Sequence, residues 1–196
     1  MYYFHIFIKK TLRYLLKPLS FLPALCMMSI IYSFSAQTGE ASGELSLGAT
    51  RIAVLSYNRI FAKGFSNEEL ELMMLAWHLP IRKAAHIAAY FLLSITVSFP
   101  LYVYRIRGFF LYLTCGVFCL LFAFFDEYHQ SFVSGRSPSV TDVGIDGIGI
   151  FLGILTAEIL CFIGRKTVFR SLSLEQYHKK KREYERSQEG GSPDAN

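Results

Sequence analysis

The stretch GFFLYLTCGVFCLLFAFFDEYHQ, residues 108–130, decides the fold class. From Gly108 to Phe125 it is continuously apolar, then turns abruptly to Asp126, Glu127, His129 and Gln130. An α-helix needs roughly 20 such residues to cross about 30 Å of hydrocarbon. A spanning barrel strand would alternate apolar and polar residues instead, and only helices and closed barrels satisfy every backbone group in lipid. Three further runs read the same way, Leu19–Phe34, Ala84–Tyr104 and Val143–Gly164. The expectation is an all-α, polytopic membrane protein built on a bundle of four transmembrane helices.

Composition agrees. Of 196 residues, 53% are hydrophobic and only 18% charged, with 18 Phe, 12 Tyr and a mean hydropathy of +0.34. Disorder is excluded by that apolar content, and a soluble domain of this size would need more polar surface to cover itself. The net charge of +5 does not point to nucleic acid, because the cations gather at the ends of apolar runs instead of along a polar face. Cys26, Cys115, Cys119 and Cys161 lie inside apolar stretches and form no CxxC pair, so they read as packing residues. No glycine loop precedes a lysine in the manner of a nucleotide site, and no cofactor is expected.

Lys and Arg number 4 before the first run, 5 between Ser35 and Lys83, 2 at Arg105–Arg107, 1 between Asp126 and Asp142, and 8 after Gly164. Alternate segments total 14 against 6, which by the positive-inside rule puts both termini in the cytoplasm of a cell-membrane protein. The first run has a rival reading as a cleaved signal peptide, with Lys9, Lys10, Arg13 and Lys17 ahead of it and Ser33 and Ser35 as small residues behind. The chain divides accordingly into a basic N-terminus (1–18), a four-span domain (19–164) and a basic tail (165–196) that ends in the unfoldable SQEGGSPDAN.

The first outer loop carries Leu45, Ala49, Ile52, Ala53 and Leu55 at helical spacing. Ser66 and Glu69 form a capping-box pattern ahead of Leu70–Trp77. Two short amphipathic helices at the interface are expected, with Pro80 restarting the chain into the second span.

Polar residues then collect on the outer side. Arg82, His86 and Tyr90 recur every four residues and share one helix face, next to Lys83. Asp126, His129 and Gln130 share a face at the end of the third span, with Glu127 among them. The loop SFVSGRSPSVTD supplies Arg136 after a flexible Gly135, and Ser139 or Thr141 as a cap for the next helix. Asp142, Asp146, Gly149, Gly153 and Ala157 form a polar top on a small-residue stripe, which lets a neighbouring backbone approach and aims Asp146 at it. An ionised Asp146 one turn inside the surface needs a partner, with Arg82, Arg136 and His86 the candidates.

These stretches, SFSAQTGEASGELS (33–46), RKAAHIAAYFLL (82–93) and DEYHQSFVSGRSPSVTDVGIDGIGIFLG (126–153), resemble the VanZ-like family of bacterial membrane proteins. The resemblance runs from about Ser33 to Gly164. It implies a four-span helical protein related to one named for low-level teicoplanin resistance. Onto this chain it carries Arg82, Lys83, His86, Tyr90, Asp126, Glu127, His129, Gln130, Gly135, Arg136, Asp142 and Gly149, with Asp146 a looser match. The expected partners are membrane lipids and a cell-wall precursor or lipid-linked intermediate.

Three readings of the cluster stay open. It is an ion and hydrogen-bond network that fixes helix packing. Alternatively it binds an anionic envelope molecule through Arg82, Lys83 and Arg136, with Gln130 and Tyr90 orienting it. Or it is the site of a membrane-embedded hydrolase or transferase, with His86, Asp126, Glu127 and His129 holding a metal or sharing acid–base work. Against a simple metal motif, Glu127 and His129 are two apart and cannot share a helix face.

Overall fold

The structure, a computed structural model, describes residues 17–189; beyond residue 164 it describes the side chains of Lys179, Lys181, Arg182, Glu183 and Arg186 alone. A 3-10 turn, Pro18–Phe21, leads into α1 (Leu22–Ser35), followed by α2 (Gly39–Ile60), α3 (Asn67–Val103), α4 (Phe109–Gln130) and α5 (Val140–Glu189). No strand occurs among the described residues. Four helical segments are long and apolar enough to cross a bilayer: Pro18–Ser35, Asn67–Val103, Phe109–Gln130 and Val140–Gly164. The fold is thus all-α and multi-pass. Two units divide the chain, Met1–Ala157 and Glu158–Asn196.

The elements begin where local chemistry dictates. Ser66 caps α3 by accepting from the Glu69 amide, while Glu69 reaches back to the Ser66 amide at 2.8 Å, a complete capping box. Thr38 caps α2 through the Ala41 amide. At the other end of α3, the Ile106 amide bonds the Leu101 carbonyl and the Arg105 amide the Tyr102 carbonyl, both at 3.0 Å. This closing motif puts Arg105 at φ +70°, where glycine is the usual occupant.

Three boundaries differ from the sequence reading. The two short outer helices are present as one 22-residue helix, α2, and as the opening turns of α3. Pro80 does not restart the chain. It removes only the bond its amide would make to the Ala76 carbonyl, and the helix, capped at Ser66 and packed on both sides of that point, runs through it as it does through Pro100. At 37 residues α3 is about 55 Å long, so nearly half of it extends past a hydrocarbon layer of about 30 Å. The tail from residue 165 continues as helix to Glu189. The expectations for the N-terminal cations Lys9, Lys10 and Arg13 and for the last seven residues fall outside the described residues.

Within the first unit, α3 is the central helix. Its Tyr90, Leu93 and Val97 meet Ala24 and Ile31 of α1, Leu111, Cys115, Cys119 and Ala123 of α4, and Ile150 and Ile154 of α5 in one buried cluster. Lipid tails are as apolar as leucine, so burying hydrocarbon does not drive helices together here; close packing and interhelical hydrogen bonds do. The contact faces are accordingly small or weakly polar. Ser98 of α3 donates to Cys115 Sγ at 3.4 Å, and the Cys115 thiol faces the Ser94 carbonyl at 3.5 Å. A methyl group on Gly149 would meet the Ile87 carbonyl, and one on Gly153 the Phe91 carbonyl and Ser94 Oγ. The outward faces of α4 and α5 expose Phe109, Phe110, Phe118, Phe124, Phe125 and Phe151, an apolar area suited to a lipid environment.

Candidate functional site

One end of the bundle is polar. It is built by the C-terminus of α1, the middle of α3, the C-terminus of α4, the 131–139 loop and the first turns of α5. Two loops fix its geometry. The Gly39 amide donates to the Ser134 carbonyl at 3.0 Å, and the Gly39 and Gly135 backbones touch, so a side chain at Gly39 would collide with the Gly135 carbonyl. Gly135 itself has φ +73°. This turn delivers Arg136 to the end of α1.

Arg136 spends its donors there. Nη2 bonds the Phe34 carbonyl at 2.9 Å, Nε the Gln37 carbonyl at 3.1 Å, and Nη1 the Gln130 Oε1 at 3.4 Å. A guanidinium on the last carbonyls of a helix also complements the negative end of the helix dipole. Partial burial and the nearby Arg82 pull the Arg136 pKa below its ordinary value while Asp126 and Glu127 oppose them; the group stays charged at neutral pH. Gln130 passes the connection on, its amide donating to Asp126 Oδ2 at 3.1 Å. Arg136, Gln130 and Asp126 form one continuous chain.

Glu127 has a separate task. Its Oε2 accepts from the Ser139 amide at 3.0 Å, while Ser139 Oγ accepts from the Thr141 amide, so a carboxylate and a hydroxyl together satisfy the start of α5. Asp146, 1% exposed, faces His86, with 3.6 Å between Asp146 Oδ1 and His86 Nδ1. That is ion-pair range but longer than a hydrogen bond, and Asp146 Oδ1 has no other partner among the described residues. His86 is thus the partner found for Asp146 among the three candidates. Tyr90, also 1% exposed, holds its hydroxyl within electrostatic reach of Asp126 but outside hydrogen-bond geometry.

Two cavities meet at these residues. A polar cleft of about 210 Å³ is lined by Arg82, Lys83, His86, Glu127, Gln130, Arg136 and Asp142 among others. A larger, mainly apolar chamber of about 570 Å³ lies between α1, α2 and α3. Arg82, His86, Gln130 and Arg136 line both. Arg82 is half-buried and makes no ion pair or hydrogen bond with a described residue; Lys83 is exposed.

His129 is placed elsewhere. It lines neither cavity and packs its ring on Tyr32 of α1 at 4.8 Å between centroids. Among the described residues no three His, Cys, Asp or Glu side chains converge closely enough to share an ion. Several participants were absent from the sequence reading: the Phe34 and Gln37 carbonyls, the buried Ser35 Oγ and Gln37 Oε1 that line the chamber, and a Ser46–His78 contact of 2.6 Å joining α2 to α3. The signal for Ser35 and Gln37 was available, since they are the first polar residues after an apolar run. The carbonyls carry none.

Ser46 Oγ also contacts the Gly43 carbonyl at 2.9 Å; with the hydroxyl proton on that carbonyl, His78 Nε2 donates to Ser46.

Compared with known proteins, residues 20–161 match the model of the family described as VanZ/LLP1. No curated protein and no solved structure matches. The matched region holds the four apolar spans almost entire, both cavities and every residue of the polar end, and it covers well over half of the sequence; the chain belongs to the VanZ/LLP1 family.

Proposed function

We propose that this protein sits in the cell membrane with both termini in the cytoplasm, and that its polar end faces outward to bind the anionic group of an envelope molecule. Its physiological role is in envelope maintenance or tolerance of the glycopeptide teicoplanin. The observation carrying this reading is Arg82. Arg82, half-buried on the cleft, makes no ion pair with a described residue: Asp126 takes Gln130, Glu127 the α5 amide and Asp146 His86, while Asp142, on the same cleft, lies beyond ion-pair distance. Arg82 on the rim of two cavities suits recognition of a phosphate or carboxylate.

A second reading, a network that holds the helices together, is favoured by the Arg136–Gln130–Asp126 chain and the Glu127 cap. It accounts for those four residues and leaves Arg82 and Lys83 without a role. The enzyme reading has no comparable observation behind it.

The test is teicoplanin and vancomycin susceptibility of cells expressing the wild type, Arg82→Ala and Arg82→Lys, matched for protein in the membrane fraction. Loss of tolerance in Arg82→Ala with partial retention in Arg82→Lys is expected. Full tolerance in Arg82→Ala at equal abundance overturns the reading.

A further inference from the structure

The two cavities differ in chemistry, and their junction is informative. The cleft presents charges, whereas the chamber is walled by Met27, Ile30, Ile31 and Phe34 of α1, Leu45 and Ala49 of α2, and Ile81, Ala85, Ala88, Ala89 and Leu92 of α3. Small residues leave the space open: Ala85, Ala88 and Ala89 of α3 face the gap between α1 and α2 without side chains long enough to fill it. At about 570 Å³ the chamber is in the roughly 300–1,000 Å³ range of small-molecule sites. It is not sealed. Ile30, Phe34, Leu45 and Leu92 are each about half exposed, so it opens sideways along the part of α3, Ala85–Leu92, that belongs to the apolar span. A ligand entering there comes from lipid.

The chamber also contains polar atoms that want a partner. Tyr90, Ser35 and Gln37 line it, and Tyr90 Oη, Ser35 Oγ and Gln37 Oε1 are buried without a hydrogen bond among the described residues; Tyr90 is 1% and Ser35 4% exposed. Buried polar groups are ordinarily satisfied; the two hydroxyls can donate to oxygen atoms on whatever fills the space, while Gln37 Oε1 calls for a donor such as a ligand hydroxyl.

We infer that the ligand is a membrane amphiphile with a phosphate head, whose single apolar chain lies in the α1–α2–α3 chamber while the phosphate rests against Arg82. This deepens the anionic-ligand reading and rests on it. Charge complementarity selects the head: Arg82 has no counter-ion among the described residues, and the Tyr90 and Ser35 hydroxyls can donate to phosphate oxygens. The chamber's volume and lateral opening select the chain. A neutral lipid leaves Arg82 unmatched, and inorganic phosphate leaves the apolar chamber unused.

The full chain, purified in a non-ionic detergent, is titrated with hexadecyl phosphate, hexadecanol and inorganic phosphate, with bound species counted by native mass spectrometry. Thermal unfolding verifies that each variant is folded. Hexadecyl phosphate is expected to bind best. Arg82→Ala removes a charge-assisted bond and weakens it about tenfold or more. Ala88→Phe, a filling change at an exposed lining position, weakens it by a similar factor while leaving the cleft charges in place. If Ala88→Phe binds hexadecyl phosphate like wild type while Arg82→Ala does not, or inorganic phosphate binds as tightly as hexadecyl phosphate, the chamber assignment falls and the anionic site stands. Binding indifferent to Arg82→Ala overturns both.

Discussion

At the scale of single residues, the two arginines of the polar end have opposite duties. Arg136 is a clamp whose three bonds tie the 131–139 loop to the end of α1 and to α4. Hydrogen bonds from a charged group contribute roughly 1.5–3 kcal/mol each, less where exposed. Arg136→Ala is therefore expected to destabilise the fold by about 2–4 kcal/mol, read as a lowered thermal midpoint in detergent, with Arg136→Lys intermediate because an ammonium cannot span the same acceptors. An unchanged midpoint in Arg136→Ala would mean the clamp is ornamental. Arg82→Ala should leave the midpoint near wild type, since no internal bond is lost. A drug-susceptibility test built on Arg136 alone would thus confuse recognition with folding. Sequence identified both cations but could not separate their duties, because the partners of Arg136 include backbone carbonyls, which every residue type supplies equally.

At the scale of elements, the α3–α5 contact is set by glycine. Gly149 and Gly153 lie against the Ile87 and Phe91 carbonyls, backbone that cannot move aside without distorting α3. Gly153→Leu is expected to cost at least about 1–3 kcal/mol by overpacking and to displace His86 from Asp146, whereas Gly144→Ala, where a methyl meets nothing, should be tolerated. Equal yields and midpoints for the two variants would show that the stripe is incidental. This stripe was legible because its four-residue spacing appears directly in the sequence. The unbroken α3 was not. Proline signals a helix end in isolation, and the packing that carries the helix through Pro80 is tertiary. His129 was misplaced for a related reason: an i, i+3 relation puts it near Asp126 on the helix, but 60° of rotation was enough to turn it toward Tyr32.

At the scale of the molecule, the four spans and their polar ends were readable from hydropathy alone, and the pairing of α1, α3, α4 and α5 around small residues required coordinates. The chamber was invisible beforehand, since a cavity is a property of what three helices fail to fill. Orientation rests on the distribution of cations. In a variant with its four cysteines replaced, a single cysteine at Ser137 is expected to react with a membrane-impermeant maleimide added to intact cells, and one at Arg186 only after permeabilisation. The reverse pattern would invert the topology and put the Arg82 cleft on the wrong side for any wall precursor. The clamp on α1 has a consequence for how such chains diverge. Because Arg136 holds Phe34 and Gln37 by their carbonyls, substitutions at either position leave those acceptors in place. Related sequences should therefore drift at 34 with the arginine unchanged, and a search for compensating exchanges between those two positions should come back empty.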